Sequence, residues 1–294
     1  MCLLFANYKV TQAQVEPSQG VVVGATFSTT TNLKSVSTVG DTFTGRISNL
    51  NIGLTQGIIQ PDFTTTDSQV KVKVMIEGAF DTATNEMTTS LTSFLPTTQP
   101  FNTAPFYYTG SETIANIPSI MTDWVLLEVR EANNNSVVVE QVAAILLKNG
   151  NVVDTNSDFT NGNIPNAGVT FSNLAFGSDY YIVVRSRNHL AVMSAIPITF
   201  PNTAVYDFTD NVSQAYNFGS NQMKLINGKA LLFAGDINGD GFVNTTDKNI
   251  YTQNAANFFG YFNADINLDF FVTTDDLNLY SNNASLFTIP QLWY

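Results

Sequence analysis

Two acidic loops near the C-terminal end carry the residues best suited to chemistry. The first runs Asp236-Ile-Asn238-Gly-Asp240-Gly-Phe242-Val-Asn244-Thr-Thr-Asp247. The second, Asp265-Ile-Asn267-Leu-Asp269-Phe-Phe271-Val-Thr273-Thr-Asp-Asp276, repeats it 29 residues later (265 − 236). Counted from the first Asp, oxygen-bearing side chains stand at positions 1, 3, 5, 9 and 12 of each loop. A hard divalent cation takes about six to eight oxygen ligands, and a chain coiled around the ion can present alternate residues to it. Position 7 offers its backbone carbonyl, so a hydrophobic side chain is permitted there. The spacing predicts two calcium ions. Asp236, Asn238, Asp240, Phe242 through its carbonyl, Asn244 and Asp247 would hold the first. Asp265, Asn267, Asp269, Phe271 through its carbonyl, Thr273 and Asp276 would hold the second.

The register is that of an EF-hand-type loop. Asp, Asn and Gly also populate ordinary turns, so one such loop alone could be solvated chain. A second copy in the same register argues for a metal. The two copies are unequal. Position 6 normally carries Gly, whose backbone accepts the positive φ of a sharp turn; the first loop has Gly241 there and the second has Phe270. Thr273 at position 9 is a poorer ligand than a carboxylate. The first site is expected to be the tighter.

Position 12 is Asp in both loops, where helix-loop-helix EF-hands usually use Glu. A short acid there, a helix after the loop and no clear helix before it resemble the type I dockerin repeat. Helices are expected over Asp247 to Ala256, with Ile250 and Tyr251 turned inward, and over Asp276 to Ala284, with Leu277, Leu279 and Tyr280 inward. Phe258, Phe259, Tyr261 and Phe262 lie between the repeats and would fill a small core. The resemblance implies a small α-helical, dockerin-like calcium-binding module over residues 219–294. A module of that size buries too little apolar surface to hold together well alone, so metal binding should contribute to its folding. In dockerins that recruit a cohesin, positions 10 and 11 help choose the partner. Here they are Thr245-Thr246 and Thr274-Asp275, a mismatch that argues against cohesin.

Composition narrows the remaining classes. The 294 residues leave room for two or three domains. Twelve Lys and Arg stand against 24 Asp and Glu, a net charge of −12. Asp236, Asp240, Asp247, Asp265, Asp269, Asp275 and Asp276 lie in the calcium region, so metal binding accounts for much of the acidity. Nucleic acid and anionic membranes are not the expected partners, because phosphate contacts need clustered Lys and Arg and the sequence has none. Only 12% of residues are charged, while Thr, Asn and Ser are abundant, as in extracellular β-proteins. Cys2 is the single cysteine, so no intramolecular disulfide forms. No apolar run reaches the roughly 18 to 20 residues of a transmembrane segment. Met1 to Ala6 lacks the charged start and full apolar stretch of a signal peptide.

Ahead of Leu231 the chain reads as strands separated by Gly, Asn, Asp and Thr turns. Val70 to Ile76 alternates apolar and basic residues, the period of a half-buried strand. Trp124 to Val129, Ser136 to Leu147 and Tyr180 to Val184 are rich in β-branched and aromatic residues, and Asn149-Gly150 is a hairpin-type turn. Gly20 to Phe27 and Phe43 to Ile52 add strands to an N-terminal β-rich region, 1–65, in which residues 1–12 could be an exchanged strand. The fold class expected is mainly β: one or two Ig-like β-sandwich domains, the principal one over 66–218, followed by the helical module.

A second resemblance lies in this body. Lys73 to Phe80 (KVMIEGAF), Asp123 to Arg130 (DWVLLEVR), Ala143 to Val153 (AAILLKNGNVV) and Val184 to Ser194 (VRSRNHLAVMS) occur in this order. They resemble a β-sandwich module found near the C-terminus of large secreted or cell-surface proteins of Bacteroidota, where dockerin-like repeats follow it. That resemblance implies extracellular display at the cell surface and calcium, and no reaction.

The catalytic alternatives are thin, and no catalytic residue is assigned. His189 is the only histidine and lies in Arg185-Ser-Arg-Asn-His189, at the end of an apolar strand, where polar side chains commonly fix neighbouring loops. No GxSxG elbow marks a nucleophile, and a zinc site would need more His or Cys. Glu77, Glu128 and Glu140 could serve a glycosidase, but Glu77 and Glu128 are expected to face outward from strands with nothing pairing them. Phe106-Tyr107-Tyr108 is the best sugar-stacking candidate. The function expected is a non-enzymatic, calcium-stabilised structural or adhesive surface protein, partnered by itself or another surface protein and able to assemble into a fibre or surface layer. A carbohydrate-binding module with a calcium-dependent protein-docking domain, taking a glycan, is the alternative.

Overall fold

The computed structural model describes residues 65–159, 168–217, 219, 222–257 and 259–284, with four short strands ahead of them. Those four form two antiparallel hairpins: β1 (Ala25–Thr30) with β2 (Leu33–Thr38), and β3 (Gly53–Thr55) with β4 (Ile58–Gln60). The chain divides into two compact units, Met1–Thr66 and Asp67–Tyr294. The strand expected over 20–27 overlaps β1. The one expected over 43–52, the apolar segment Leu3 to Val10 and Phe258 lie outside the described residues.

The larger unit is built on one nine-stranded sheet. A short hairpin, β6 (Phe80–Asp81) with β7 (Glu86–Met87), follows β5 (Thr65–Lys73). Then come β8 (Met121–Glu131), β9 (Val138–Leu147), β10 (Asn151–Val153), β11 (Val169–Ala175) and β12 (Asp179–Arg185). The short strands β13 (Val192–Met193), β14 (Ile198–Thr199) and β15 (Val205–Asp207) complete the sheet. The order is β11-β5-β10-β9-β8-β12-β13, with β14 on β12 and β15 on β5. The short strand β15 runs parallel to β5.

Local sequence explains the edges and the centre differently. In β5, Val70 and Val72 are buried while Lys71 and Lys73 are half-exposed, so the alternation seen in sequence is an inside-outside alternation. Asn149-Gly150 turns β9 into β10, with Gly150 at φ 90° and only 2.9 Å from an added Cβ to the Val74 carbonyl. β8, flanked by β9 and β12, is buried from Met121 to Arg130, so both of its faces are covered and periodicity vanishes. Its Asp123, Glu128 and Arg130 are buried along with Trp124 and Leu126.

No separate linker leads to the acidic loops. After the hairpin β16 (Lys224–Ile226) with β17 (Lys229–Leu231), Leu232 lies in a parallel bridge with Ile76 and Ala234 in an antiparallel bridge with His189. Each loop then opens a helix: α1 (Thr245–Asn254) and α2 (Thr274–Ala284). Both start two residues earlier than expected. For α1 the reason is visible, since Asn244 caps it and Asp247 at N3 completes a capping box. Tyr251, Ile237, Val243, Ala264, Ile266, Val272 and Tyr280 form an apolar core of their own, with Leu190 and Phe233. Leu268 instead joins the main core of the sheet.

Candidate metal centre

The two loops adopt the same hydrogen-bonded skeleton. In the first, Asp247 Oδ1 accepts the amides of Ile237 (2.7 Å) and Asn238 (3.2 Å), and Oδ2 accepts that of Asn244 (2.8 Å). In the second, Asp276 Oδ1 accepts Ile266 (2.7 Å) and Asn267 (3.1 Å), and Oδ2 accepts Thr273 (2.8 Å). The first Asp of each loop accepts the position-6 amide: Asp236 from Gly241, Asp265 from Phe270, both at 2.9 Å. Position 5 likewise accepts the position-7 amide, Asp240 from Phe242 and Asp269 from Phe271. Position 12 therefore pins the loop entry to the helix start, and each loop coils back on itself around that carboxylate.

Positions 4 and 6 carry left-handed backbone in both loops. They are Gly239 (φ 70°) and Gly241 (φ 88°) in the first, Leu268 (φ 60°) and Phe270 (φ 66°) in the second. A side chain at such a φ costs about 1–2 kcal/mol. The second loop offsets that cost by burial: Leu268 is fully enclosed, and Phe270 packs on Phe94 at 5.3 Å and Phe271 at 4.3 Å between ring centroids.

The electrostatics of the loops favour a cation. Asp236 is 1% exposed and its Oδ1 has no hydrogen-bond partner among the described residues. A buried, unsatisfied carboxylate oxygen is costly unless a proton or a cation meets it. Burial, then the neighbouring Asp247 and Asp240 carboxylates, drive the Asp236 pKa well above its ordinary value. Burial pushes Asp247 up to about 6, with Asp240 adding to it. Asp265 rises to about 7 for the same first reason, with Asp276 adding and the Arg187 guanidinium opposing; burial also raises Asp276. Among the described residues no three His, Cys, Asp or Glu side chains stand together as a ready metal cluster. The donor set of such a loop is mixed, taking Asn side chains and a backbone carbonyl besides carboxylates, and the Asp236 oxygen fits a hard cation.

Contacts beyond the loops tie them together and to the sheet. The Tyr251 hydroxyl of α1 donates to the Thr273 carbonyl of the second loop (2.8 Å), and the Tyr280 hydroxyl of α2 donates to the Asn244 carbonyl of the first (2.7 Å). The expectation that these tyrosines turn inward did not reach this pairing. Its only signal in sequence is that they occupy the same place in each repeat.

Arg187, Asn188 and His189 form the seam with the sheet. Arg187 Nε donates to Asp123 Oδ2 (2.8 Å), its guanidinium lies 4.3 Å from the Tyr261 ring centroid, and it also donates to the Phe262 carbonyl. Asn188 Nδ2 donates to the carbonyls of Asn263 (3.1 Å) and Asp265 (2.8 Å). His189 Nε2 accepts the Gly78 amide (3.0 Å) and Nδ1 faces Asn188 Oδ1 (2.8 Å). Burial, and then Arg187, push its pKa down to about 3, so the ring is neutral.

The acids expected to face outward unpaired do not. Glu77 is 7% exposed, lies in a turn after β5, pairs with Lys224, and accepts from Asn283 Nδ2 (2.6 Å) and the Ala234 amide (3.0 Å). Glu128, 2% exposed, accepts from Arg185 (2.5 Å), Arg130 (2.7 Å) and Gln141 (2.8 Å). Those arginines hold its carboxyl below the usual range against the opposing pull of burial. For Glu128 the expectation failed because a strand covered on both faces has no outward side, and for Glu77 because the residue lies in a turn and not in a strand. Glu140 accepts the amides of Ser172 and Asn173 in β11. Of Phe106-Tyr107-Tyr108, only Tyr107 is exposed, at 71%; Phe106 packs edge-on against Phe101, and Tyr108 bonds Glu112.

In comparison with known proteins, no family model, no curated protein and no solved structure matches this chain. Among the described residues, no helix is long and apolar enough to cross a membrane.

Proposed function

We propose that this chain is a calcium-stabilised structural or adhesive protein of the extracellular space, built as a β-sandwich-type body with a dockerin-like pair of calcium loops. The observation that carries the calcium reading is the buried Asp236 Oδ1, left without a partner inside a twelve-residue loop that occurs twice in one register. Asp236, Asn238, Asp240, Asn244 and Asp247 would hold one ion, and Asp265, Asn267, Asp269, Thr273 and Asp276 the other, with the Phe242 and Phe271 carbonyls. The ions would neutralise buried carboxylates that otherwise repel one another. The location follows from the low charge, the Thr/Asn-rich β-body and a calcium demand best met outside the cell. Display at a surface, and assembly with itself or another surface protein, belong to the same proposal. The glycan-binding alternative rests on exposed aromatic rings, and of its Phe106-Tyr107-Tyr108 candidate only Tyr107 is exposed, which makes a poor stacking platform.

The test is thermal unfolding with millimolar calcium and with EGTA, alongside negative-stain microscopy under both conditions. Calcium should raise the melting temperature and support filaments or sheets. An unchanged melt in EGTA would overturn the calcium reading, and monodisperse particles in both conditions would overturn assembly.

A further inference from the structure

The cross-loop tyrosines carry the argument furthest. Each is buried, Tyr251 at 8% and Tyr280 at 5% exposure, and each spends its hydroxyl on the position-9 carbonyl of the opposite loop. Position 9 is where each loop becomes a helix. Asn244 donates its amide to Asp247 Oδ2 and caps α1 through its side chain, which accepts the Thr246 amide at 2.7 Å. Thr273 donates its amide to Asp276 Oδ2, and its hydroxyl oxygen accepts the Asp275 amide at 3.3 Å. A hydroxyl bonded to that carbonyl fixes the turn presenting positions 9 and 12 to the ion. The helix supplying it starts at the other loop, so its own position depends on that loop being formed.

We infer that Tyr251 and Tyr280 are positioning residues that couple the two loops, so that calcium in either one strengthens binding in the other. This rests on the calcium reading above. The physical route is short: an ion in the second loop orders Thr273 to Asp276 and the start of α2, α2 carries Tyr280, and Tyr280 holds Asn244. The reverse path runs from Asn244 to Asp247 through α1 and Tyr251 to Thr273. Because coupling between two binding sites is a property of the pair, its size is the same in both directions. One neutral hydrogen bond of this kind corresponds to roughly a three- to tenfold change in affinity.

Calcium titration by calorimetry of the full chain tests it, using calcium-free buffer and four proteins. These are the wild type, a chain whose second loop is silenced by Asp269→Ala, the double variant Tyr251→Phe/Tyr280→Phe, and the combination of all three changes. Silencing the second loop should weaken the first by about three- to tenfold in the wild-type background. In the double-tyrosine background the same change should shift it by less than about twofold, because the link has gone. An unchanged first-loop affinity on silencing the second loop in the wild-type background overturns the inference without any tyrosine variant. So does equal weakening in both backgrounds, or a tyrosine variant that melts lower with an unaltered isotherm, since a packing role alone would do that. A wild-type chain that takes up no calcium at all is a different result, and it removes the calcium reading itself.

Discussion

The two acidic loops share a skeleton and differ in what surrounds it. The first is made flexible where it must turn, with glycines at positions 4 and 6, and lies against Phe106 and Pro105 through Gly239. The second forces Leu268 and Phe270 through the same left-handed conformations and anchors both in apolar surroundings. A buried guanidinium, Arg187, acts on Asp265. The first loop turns on glycine alone, and the second turns on side chains that also pack against the sheet. Backbone geometry is set by position in the loop, and the residue adapts to it or is compensated for it.

The largest separation between the loops should come from position 4. Leu268→Ala leaves a cavity in the main core and should destabilise by about 2–5 kcal/mol. Gly239→Ala in the first loop meets Phe106 Cζ at 2.9 Å and a φ of 70°, so a loss of about 1–3 kcal/mol follows from strain instead. Denaturant unfolding in saturating calcium measures both. Equal losses would mean that Leu268 contributes no more than its backbone shape.

The next effect concerns the seam. His189 is neutral when folded, with a pKa near 3 against about 6.5 in the unfolded chain. The unfolded state therefore takes up the proton first, and the contribution of His189 to stability falls as pH drops below about 6.5. Between pH 7 and 4.5 the loss should be roughly 2–3 kcal/mol. Relative to wild type, His189→Gln should gain that amount over this range, on top of the opposite contribution of the raised Asp247 and Asp265 carboxyls that both proteins share, measured by denaturant unfolding in EGTA so that metal release does not contribute. Parallel curves would show that the ring stays solvated enough to charge in place.

How much of this could be read from sequence divides along physical lines. The oxygen spacing at positions 1, 3, 5, 9 and 12 is a local property, and the strand Val70 to Val72 declares its buried face because one side of β5 is wetter than the other. The central strand β8 hides its environment, since covering both faces erases the alternation, and the burial of Glu128 is illegible in sequence for that reason. Gly78 and His189 meet across 111 residues and Glu77 and Asn283 across 206; no local pattern marks such pairs. The Arg185 to His189 segment reads in sequence as a strand end among neighbouring loops, and it begins at the end of β12. That it grips the approach to the second loop depends on register between distant segments.

A smaller and more local effect should come from Asn188→Ala. It removes the donor to the Asp265 carbonyl at 2.8 Å and to the Asn263 carbonyl. Second-loop affinity should fall by about three- to tenfold, and the first loop should change by the smaller share that the tyrosine link transmits. Calorimetric titration resolves the two. A larger loss at the first loop would reverse the assignment of the seam to the second.

The smallest net effect is expected at Phe270, because two opposing terms meet there. Phe270→Gly releases left-handed strain of about 1–2 kcal/mol, and it also loses a half-buried ring, of which full burial would contribute about 1.5–3 kcal/mol. These should nearly cancel, leaving stability within about 1 kcal/mol of wild type. Gly241→Ala at the matching position of the first loop has no such offset and should cost about 1 kcal/mol or more at φ 88°. The pair of substitutions, followed by denaturant unfolding in calcium, separates position from residue. If Phe270→Gly costs several kcal/mol, the ring is a main anchor of the second loop to the sheet. If it stabilises, the strain at position 6 is uncompensated, and the two loops differ in sequence without having divided the work between them.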